Sequence, residues 1–372
     1  MPSGAAFVNI SARVFDNVVQ RELHFRVVKP SRVTIKFLAA EAGMSFSTVA
    51  KALRHDPTIR QQTRQRILDL ARAYNYRPNL LARGLRSQKT SAIGMILNDL
   101  QSPFYLEVYK AVEDVLNSEG YTLLLADSRY DETLEKRNIS TMLSYGVAGI
   151  IISSVSEQSD NIDFLLGEPL KTVFIDNLPA NPLATCVYVD HEEAARLGTE
   201  HLLSLGHKDI LLLNGPQQLA SAQHFRKGYV NTLSAHGITP SPSLIKHNPI
   251  TIEDTCAAFD LIFQRQDPVA PDDFSAVLAL SDVIAIGVYE SAMRHSFSIP
   301  GTFSVVGYDN ILATKYLNPA LTTIHQPKQE TGSLSVRLLL GQINGDAPVL
   351  RRVVLRPNLV IRNSTSPITR VR

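Results

Sequence analysis

"TIKFLAAEAGMSFSTVAKAL" occupies Thr34–Leu53. Ile35, Leu38, Ala39 and Ala42 recur at helical spacing, so a first helix is expected over Thr34–Ala42, with Thr34 as its N-cap. Gly43 is placed to end it, because glycine adopts the left-handed conformation of a helix terminus without steric cost. Ser45 or Ser47 can cap a second helix, expected over about Ser47–Leu53, with Val49, Ala52 and Leu53 on its buried side. Ala39 stands four residues before Gly43 and Val49 six after it. A small residue where two helices cross, a turn glycine and a β-branched core residue form a helix-turn-helix signature. An ordinary αα-hairpin is the competing reading of the same spacing.

The flanking sequence narrows the choice. "DPTIRQQTRQRILDLARAYNYRPN", Asp56–Asn79, reads as a turn at Asp56-Pro57. A third helix from about Arg60 to Tyr74 follows, with Ile67, Leu70 and Ala71 inward. It ends before Arg77-Pro78, since the residue preceding a proline avoids the helical region. "NLLARGLRSQKTSAIGMIL", Asn79–Leu97, is a short Leu/Arg segment leading into a strand.

Charge divides the chain in the same way. Residues 31–92 carry twelve Lys/Arg against three Asp/Glu, whereas residues 93–372 carry twenty-one against thirty. A basic head on an acidic body suits a head that meets a polyanion, and a solvated basic face is the alternative. The length of 372 residues implies two or three domains, and a 44% apolar, 19% charged composition is ordinary for a globular chain. Two distant cysteines, Cys186 and Cys256, fit a reducing compartment and no disulfide framework. No apolar run reaches 18 residues and no signal-peptide pattern opens the chain, so a cytoplasmic protein without membrane association is expected.

Thr34–Leu97 resembles the head and linker of the lactose/galactose repressor family of bacterial transcription factors. The match rests on the two-helix stretch, on "YRPN" at Tyr76–Asn79, "LARGLRS" at Leu81–Ser87 and "IG" at Ile93-Gly94. It implies a small all-α DNA-binding head over 33–78, a hinge helix and linker over 79–90, and residues 1–32 as an unassigned extension. The second helix would lie in the major groove. Phe46, Ser47 and Lys51 fall where the family reads sequence: Lys51 can donate to guanine, and Phe46 can contact a thymine methyl. Ser45, Thr48 and Arg54 would hold phosphates, which set register. Ala50 and Lys51 replace the usual Ser and Arg, so a phosphate bond and a bidentate fork are lost. The resemblance makes Asn79–Arg86 a hinge helix that folds when two copies meet on DNA. Asn79 and Arg83 would contact DNA there, and Leu85 would wedge into the minor groove and bend the duplex. Gly84, where the family commonly has Ser, costs the hinge roughly 0.5–1 kcal/mol of helix stability.

From Ser91 the pattern alternates. Apolar runs at Ile93–Leu97, Thr122–Leu125, Gly149–Ile152, Thr172–Ile175, Ile210–Leu213, Ala276–Ala279 and Val305–Gly307 are separated by helical stretches. These are Glu107–Ser118, Glu132–Ser144, Glu193–Leu205 and Ile284–His295. Such alternation means parallel sheets covered on both faces. The α/β body, 91–372, resembles the periplasmic sugar-binding fold: two parallel-sheet subdomains with crossovers near 190, 325 and 350. The crossover region "LNPALTTIHQPKQETG", Leu317–Gly332, also resembles that of the family.

Ligands of open α/β sheets bind beyond the strand C-termini, where Asp127, Asp176, Asp190, Ser281-Asp282 and Asp309-Asn310 are found. Carboxylates there can accept from sugar hydroxyls, and an aromatic ring can cover a sugar face. Each acid could equally be a helix cap, and Asp190 and Asp282 are read as a crossover residue and a cap. The resemblance implies an effector site from Ser102, Phe104 and Tyr105 of "LQSPFY", with Asp309 of "VGYDN" as its most telling acid. Asp127, Asp176 and Ser281, where many relatives have Asn, complete it. Where the family places a ligand-clamping Arg, "SAQHFRKGY" (Ser221–Tyr229) has Phe225, with Arg226 one residue later. Either Arg226 substitutes through a local shift or the clamp is missing.

No P-loop, HExxH or nucleophile elbow occurs, and the His and Glu of "DHEEAARLGTEH" are read as a solvated helix start. No cofactor, metal or enzymatic activity is therefore expected. The expected partners are a pseudo-palindromic double-stranded operator, a small effector of the sugar class, and a second copy of the chain in a dimer or tetramer. A DNA-binding regulator, most simply a repressor, is the leading reading. A solute-binding receptor of the same fold is the alternative, and it would need no basic head.

Overall fold

The computed structural model describes residues 33–76, 90–247, 249–346 and 351–368. The described residues fall into two compact units, the first over 33–76 and the second from 90 onward. The hinge segment with Asn79, Arg83, Gly84 and Leu85 lies outside the described residues, as does the extension over 1–32.

In the first unit, α1 (Ile35–Ala42) is capped by Thr34, whose Oγ1 accepts the Phe37 N–H at 3.2 Å. It stops at Gly43, which sits at φ 64° and donates to the carbonyls of Ala39 and Ala40. Helix α2 (Phe46–Leu53) begins one residue earlier than expected, because Ser45 and not Ser47 supplies the cap. Its Oγ accepts the Thr48 N–H at 3.1 Å from an extended backbone, the geometry that satisfies an otherwise unpaired helix donor. Helix α3 (Gln61–Ala73) has no side-chain cap. The turn before it is tied by Arg64, which donates to the carbonyls of Asp56 (2.9 Å) and Ile59 (3.1 Å). Leu38, Ala39, Val49, Ala52 and Ile67 form the buried centre. The small Ala39 and Ala52 let three short helices approach, and the resulting core fixes the direction of α2.

The second unit opens with β1 (Ala92–Leu97), α4 (Pro103–Ser118), β2 (Thr122–Asp127), α5 (Glu132–Tyr145), β3 (Gly149–Ile152), α6 (Asp160–Gly167), β4 (Lys171–Asp176) and β5 (Cys186–Val189). The chain passes Asp190 into α7 (His191–Ser204), β6 (Ile210–Asn214), α8 (Ala220–Ala235), β7 (Ile245–His247) and α9 (Ile252–Phe263). The same half continues through β8 (Ala276–Ala279), α10 (Asp282–Arg294), β9 (Ser304–Asp309) and β10 (Thr322–His325). It returns through Gln326-Pro327 to α11 (Lys328–Asn344) and β11 (Arg352–Leu355), then ends its sheets with β12 (Asn358–Val360).

One sheet has the order β11-β5-β4-β3-β1-β2 and the other β12-β10-β9-β8-β6-β7. All pairs are parallel except β10 with β12. The third crossing lies at Arg356-Pro357, not near 350, because Leu355 still pairs with Val189 in the first sheet. Strands β1, β3 and β4 are buried along nearly their whole length, as continuous apolar runs require. The edge strands β7, β11 and β12 ("IKH", "RVVL", "NLV") and the buried β10 ("TTIH") are too short or too polar for that criterion.

Each sheet has its own core. In the second, Leu211, Leu213, Phe225, Phe259, Phe303 and Tyr308 are buried together. Gly228 lets α8 lie against the main chain of α7: a Cβ there would overlap the carbonyl of Glu192. That close approach sets the position of the α8 side chains facing the neighbouring subdomain.

Candidate functional site

The head offers α2 as its contact surface. Ser45, Ser47 and Arg54 are exposed, and Phe46, Thr48 and Lys51 are partly so. Ser45 Oγ lies 2.8 Å from Thr48 Oγ1. One hydroxyl proton bridges that pair, which leaves the other free for an outside acceptor such as a phosphate.

In the second unit, the strand ends of the two subdomains face a common cleft lined by Ser102, Phe104, Tyr105, Asp176, Ser281 and Asp309. Ser102 stands at the start of α4, and its side chain makes no cap bond. Tyr105 donates to Asp176 Oδ2 at 2.8 Å and lies 3.0 Å from Ser153 Oγ, which Asn98 Nδ2 reaches at 3.0 Å. Burial and the Asp176 charge push the Tyr105 hydroxyl well above its ordinary range. Asp309 accepts from Gln326 Nε2 at 2.7 Å. Burial, followed by the negative charge of Asp282, pushes its carboxyl well above the usual carboxylate range. Both acids hold left-handed backbone, Asp176 at φ 70° and Asp309 at φ 121°, and Asn310 follows at φ 55°. For residues other than glycine such conformations cost of order 1–3 kcal/mol and concentrate at functional sites.

Two expected residues are not in the cleft. Asp127 caps its own turn instead: its carboxylate accepts the Arg129 N–H at 3.0 Å. It ends the edge strand β2, to the side of the strand ends that meet the cleft. Arg226 is exposed, because α8 runs unbroken through it and one residue is about 100° of rotation. Phe225 points inward, buried, with its ring 5.3 Å from Tyr308. Arg226 therefore does not line the cleft, and Phe225 stands in the position where the resemblance implies an arginine. Asp282 is not the cap of α10; Ser281 is, accepting the Ile284 N–H at 3.2 Å. Asp282 instead joins Thr323 (2.6 Å) to the Ile311 N–H (2.8 Å), and burial raises it to about 7. Asp190 caps α7 at the first crossover.

Sequence reasoning missed Asn98, Tyr130, Asn177, His191, Tyr308 and Gln326, which also line the cleft. His191 and Gln326 sit beside crossovers, and Tyr308 directly precedes Asp309; these positions were the available signals. His191 Nδ1 lies 2.8 Å from the Tyr308 hydroxyl, and its Nε2 lies 3.8 Å from Asp176. Burial lowers the His191 pKa and keeps the ring neutral. As it stands the cleft is narrow, with a volume of about 60 Å³.

Contacts across the cleft hold it so. Tyr130, from the turn after β2, packs on the core of the second subdomain. His224 of α8 reaches Glu157 of the first subdomain at 3.3 Å and Glu192 at 3.1 Å. These partners, Glu157 foremost, raise His224 from 6.5 to about 9. A histidine raised on folding contributes stability that is complete below its unfolded pKa and is lost as pH rises through the folded one. The body should therefore melt at a lower temperature at pH 9.5 than at pH 7, by a modest amount because the pair is partly exposed. Thermal denaturation of Glu157→Gln across this window should show a flatter pH dependence than the wild type; equal slopes would remove the pair from the account.

Residues 34–79 match the model described as bacterial regulatory proteins, lacI family. Residues 199–365 match the periplasmic binding protein-like domain. The chain is 30% identical over 333 residues to the HTH-type transcriptional repressor PurR of Pasteurella multocida (strain Pm70), covering 89% of this chain and 98% of that one. To catabolite control protein A of Priestia megaterium it is 28% identical over 335 residues, covering 90% and 99%. Its fold is similar to that of the lac repressor dimer bound to operator and the anti-inducer ONPF, with a TM-score of 0.79 at 24% identity, covering 90% and 99%. With a helix-turn-helix head ahead of a two-sheet, periplasmic-binding-protein-like body, the chain belongs to the lacI family of bacterial regulatory proteins and is a DNA-binding transcriptional regulator.

Proposed function

We propose that the protein is a cytoplasmic repressor and not an enzyme. It binds a pseudo-palindromic operator as a homodimer, and a small polar ligand in the cleft sets its operator affinity. The observation that carries this reading is the convergence of Tyr105 and Asp176 from one subdomain with His191, Asp309 and Gln326 from the other. A ligand touching both groups changes the angle between the subdomains. In a dimer that angle governs how two heads are presented to a two-fold site. Sugar-type ligands suit the acceptor-rich lining, without the arginine clamp. The relatives named above carry repressor and control functions in their names, and one solved neighbour is a dimer on its operator. Lys51, Phe46 and Ser47 are the proposed base readers, and Ser45, Thr48 and Arg54 the phosphate contacts. Asn79, Arg83 and Leu85 are proposed to extend the interface through the hinge segment.

Coupling between the two sites is reciprocal: ligand and DNA change one another's affinity by the same factor, typically worth 1–3 kcal/mol. Lys51→Ala should cost about 1–3 kcal/mol on an operator obtained by in vitro selection and relax preference at one base pair. Competition binding against single-base variants measures this, and a uniform loss on all sequences would make Lys51 a phosphate contact instead. Asp309→Ala should abolish the ligand response of operator binding while circular dichroism and sedimentation show an unchanged fold and dimer. A full response in that variant would place the ligand elsewhere.

A further inference from the structure

Among the described residues the cleft has an uneven charge inventory. Asp176 and Asp309 line it, and no Lys or Arg does. Arg226 lies on an outer groove with Gln217, Gln223 and Lys227. The nearest buried cation, Lys328, stands behind Asp309. Its Nζ donates to the main-chain carbonyls of Asp309 and Asn310, the latter at 3.2 Å, and lies 3.6 Å from Glu107. His191 is held neutral by burial. Burial without a facing positive charge penalises the ionised form, which is why the Asp309 carboxyl stands well above the usual carboxylate range, and a cation placed between the two acids favours that form.

The unpartnered polar atoms point the same way. Asn177 Oδ1, Gln326 Oε1 and His191 Nε2 have no hydrogen-bond partner. All three side chains are more than nine-tenths buried and line the cleft. The amide orientations are fixed by their other ends. Asn177 Nδ2 donates to the Ser154 carbonyl at 2.7 Å, and Gln326 Nε2 donates to Asp309 Oδ1 at 2.7 Å. The free atom of each amide is therefore its oxygen, which accepts only. A ligand must bring donors to both. Phe104, Tyr105, Tyr130 and Tyr308 line the same space, and aromatic faces attract cations.

We propose, resting on the cleft being the effector site, that its ligand is a small organic cation. Its protonated amine lies between Asp176 and Asp309, and further N–H or O–H groups donate to Asn177 and Gln326. A sugar phosphate or a carboxylic acid brings negative charge and acceptors to a lining that already has both. A neutral sugar supplies donors and brings no positive charge to favour the ionised form of either acid.

The test uses the full-length protein and matched probes at millimolar concentration: D-glucosamine, D-galactosamine and putrescine; D-glucose, D-galactose and N-acetyl-D-glucosamine; and the 6-phosphates of glucose and galactose. Thermal shift and calorimetry are read on the wild type, Asp176→Asn and Asp309→Asn. At least one amine should raise the melting temperature and bind more tightly than every neutral or phosphorylated probe. Each variant should weaken that binding about tenfold or more, the loss expected when a charged hydrogen-bond partner is neutralised. Tighter binding of a neutral or phosphorylated probe, lost in Asp309→Asn, overturns the cation and leaves the cleft as the effector site. Amine binding equal in all three proteins overturns both. No response of the wild type to any amine overturns the cation alone.

Discussion

Two carboxylates enclosed at facing strand ends set the terms for the body of this regulator. Asp176 ends β4 of one sheet and Asp309 ends β9 of the other, each on left-handed backbone. An apolar residue in either place removes a buried hydrogen bond, from Tyr105 to Asp176 or from Gln326 to Asp309, and the second loss leaves the Gln326 amide N–H unpaired. An unpaired buried donor costs about 1–3 kcal/mol. The polar seam is therefore built into both subdomains at once, and the separation of the sheets decides whether its members face a ligand or one another. A protein that transmits a signal by subdomain movement needs such a seam, since a purely apolar one would simply close.

Phe225 stands behind the seam, where the resemblance implies an arginine. Its ring packs on Tyr308, which bonds His191, which approaches Asp176. An arginine in that place would bring a permanent charge and five donors into the cleft. The phenylalanine brings neither, so the acids and amide oxygens dominate. At the outer rim, His224 links Glu157 to Glu192, and Tyr130 rests on the opposite core. Closure is thus shared between a titratable contact at the rim and apolar packing inside it.

Local signals in the sequence were readable where the physics is local. Thr34, Gly43 and Ser45 act within three or four residues of themselves, and the helices they bound follow the spacing of Leu38, Ala42, Val49 and Ala52. The buried strands announced themselves as apolar runs because both faces are covered. The cleft was legible only in part, because it is assembled by three crossings between sheets. Asp127 and Asp309 both end strands, yet only the central position of β9 brings its acid to the cleft. His191 and Gln326 carry no motif; they matter because the chain changes sheets beside them. Whether Phe225 or Arg226 faces inward depended on the register of one helix, which the packing of Gly228 against Glu192 fixes.

Under the proposed function, DNA binding and the geometry of the cleft are coupled. If the coupling runs through subdomain movement, operator binding alone shifts that geometry, and no ligand need be known to see it. Spin labels at Arg137→Cys on α5 and Arg226→Cys on α8, both exposed positions on opposite subdomains, report their separation by pulsed dipolar spectroscopy. Adding in vitro-selected operator to the full-length protein should shift the distance distribution, and non-specific DNA of equal length should leave it unchanged. Identical distributions with and without operator would contradict the account.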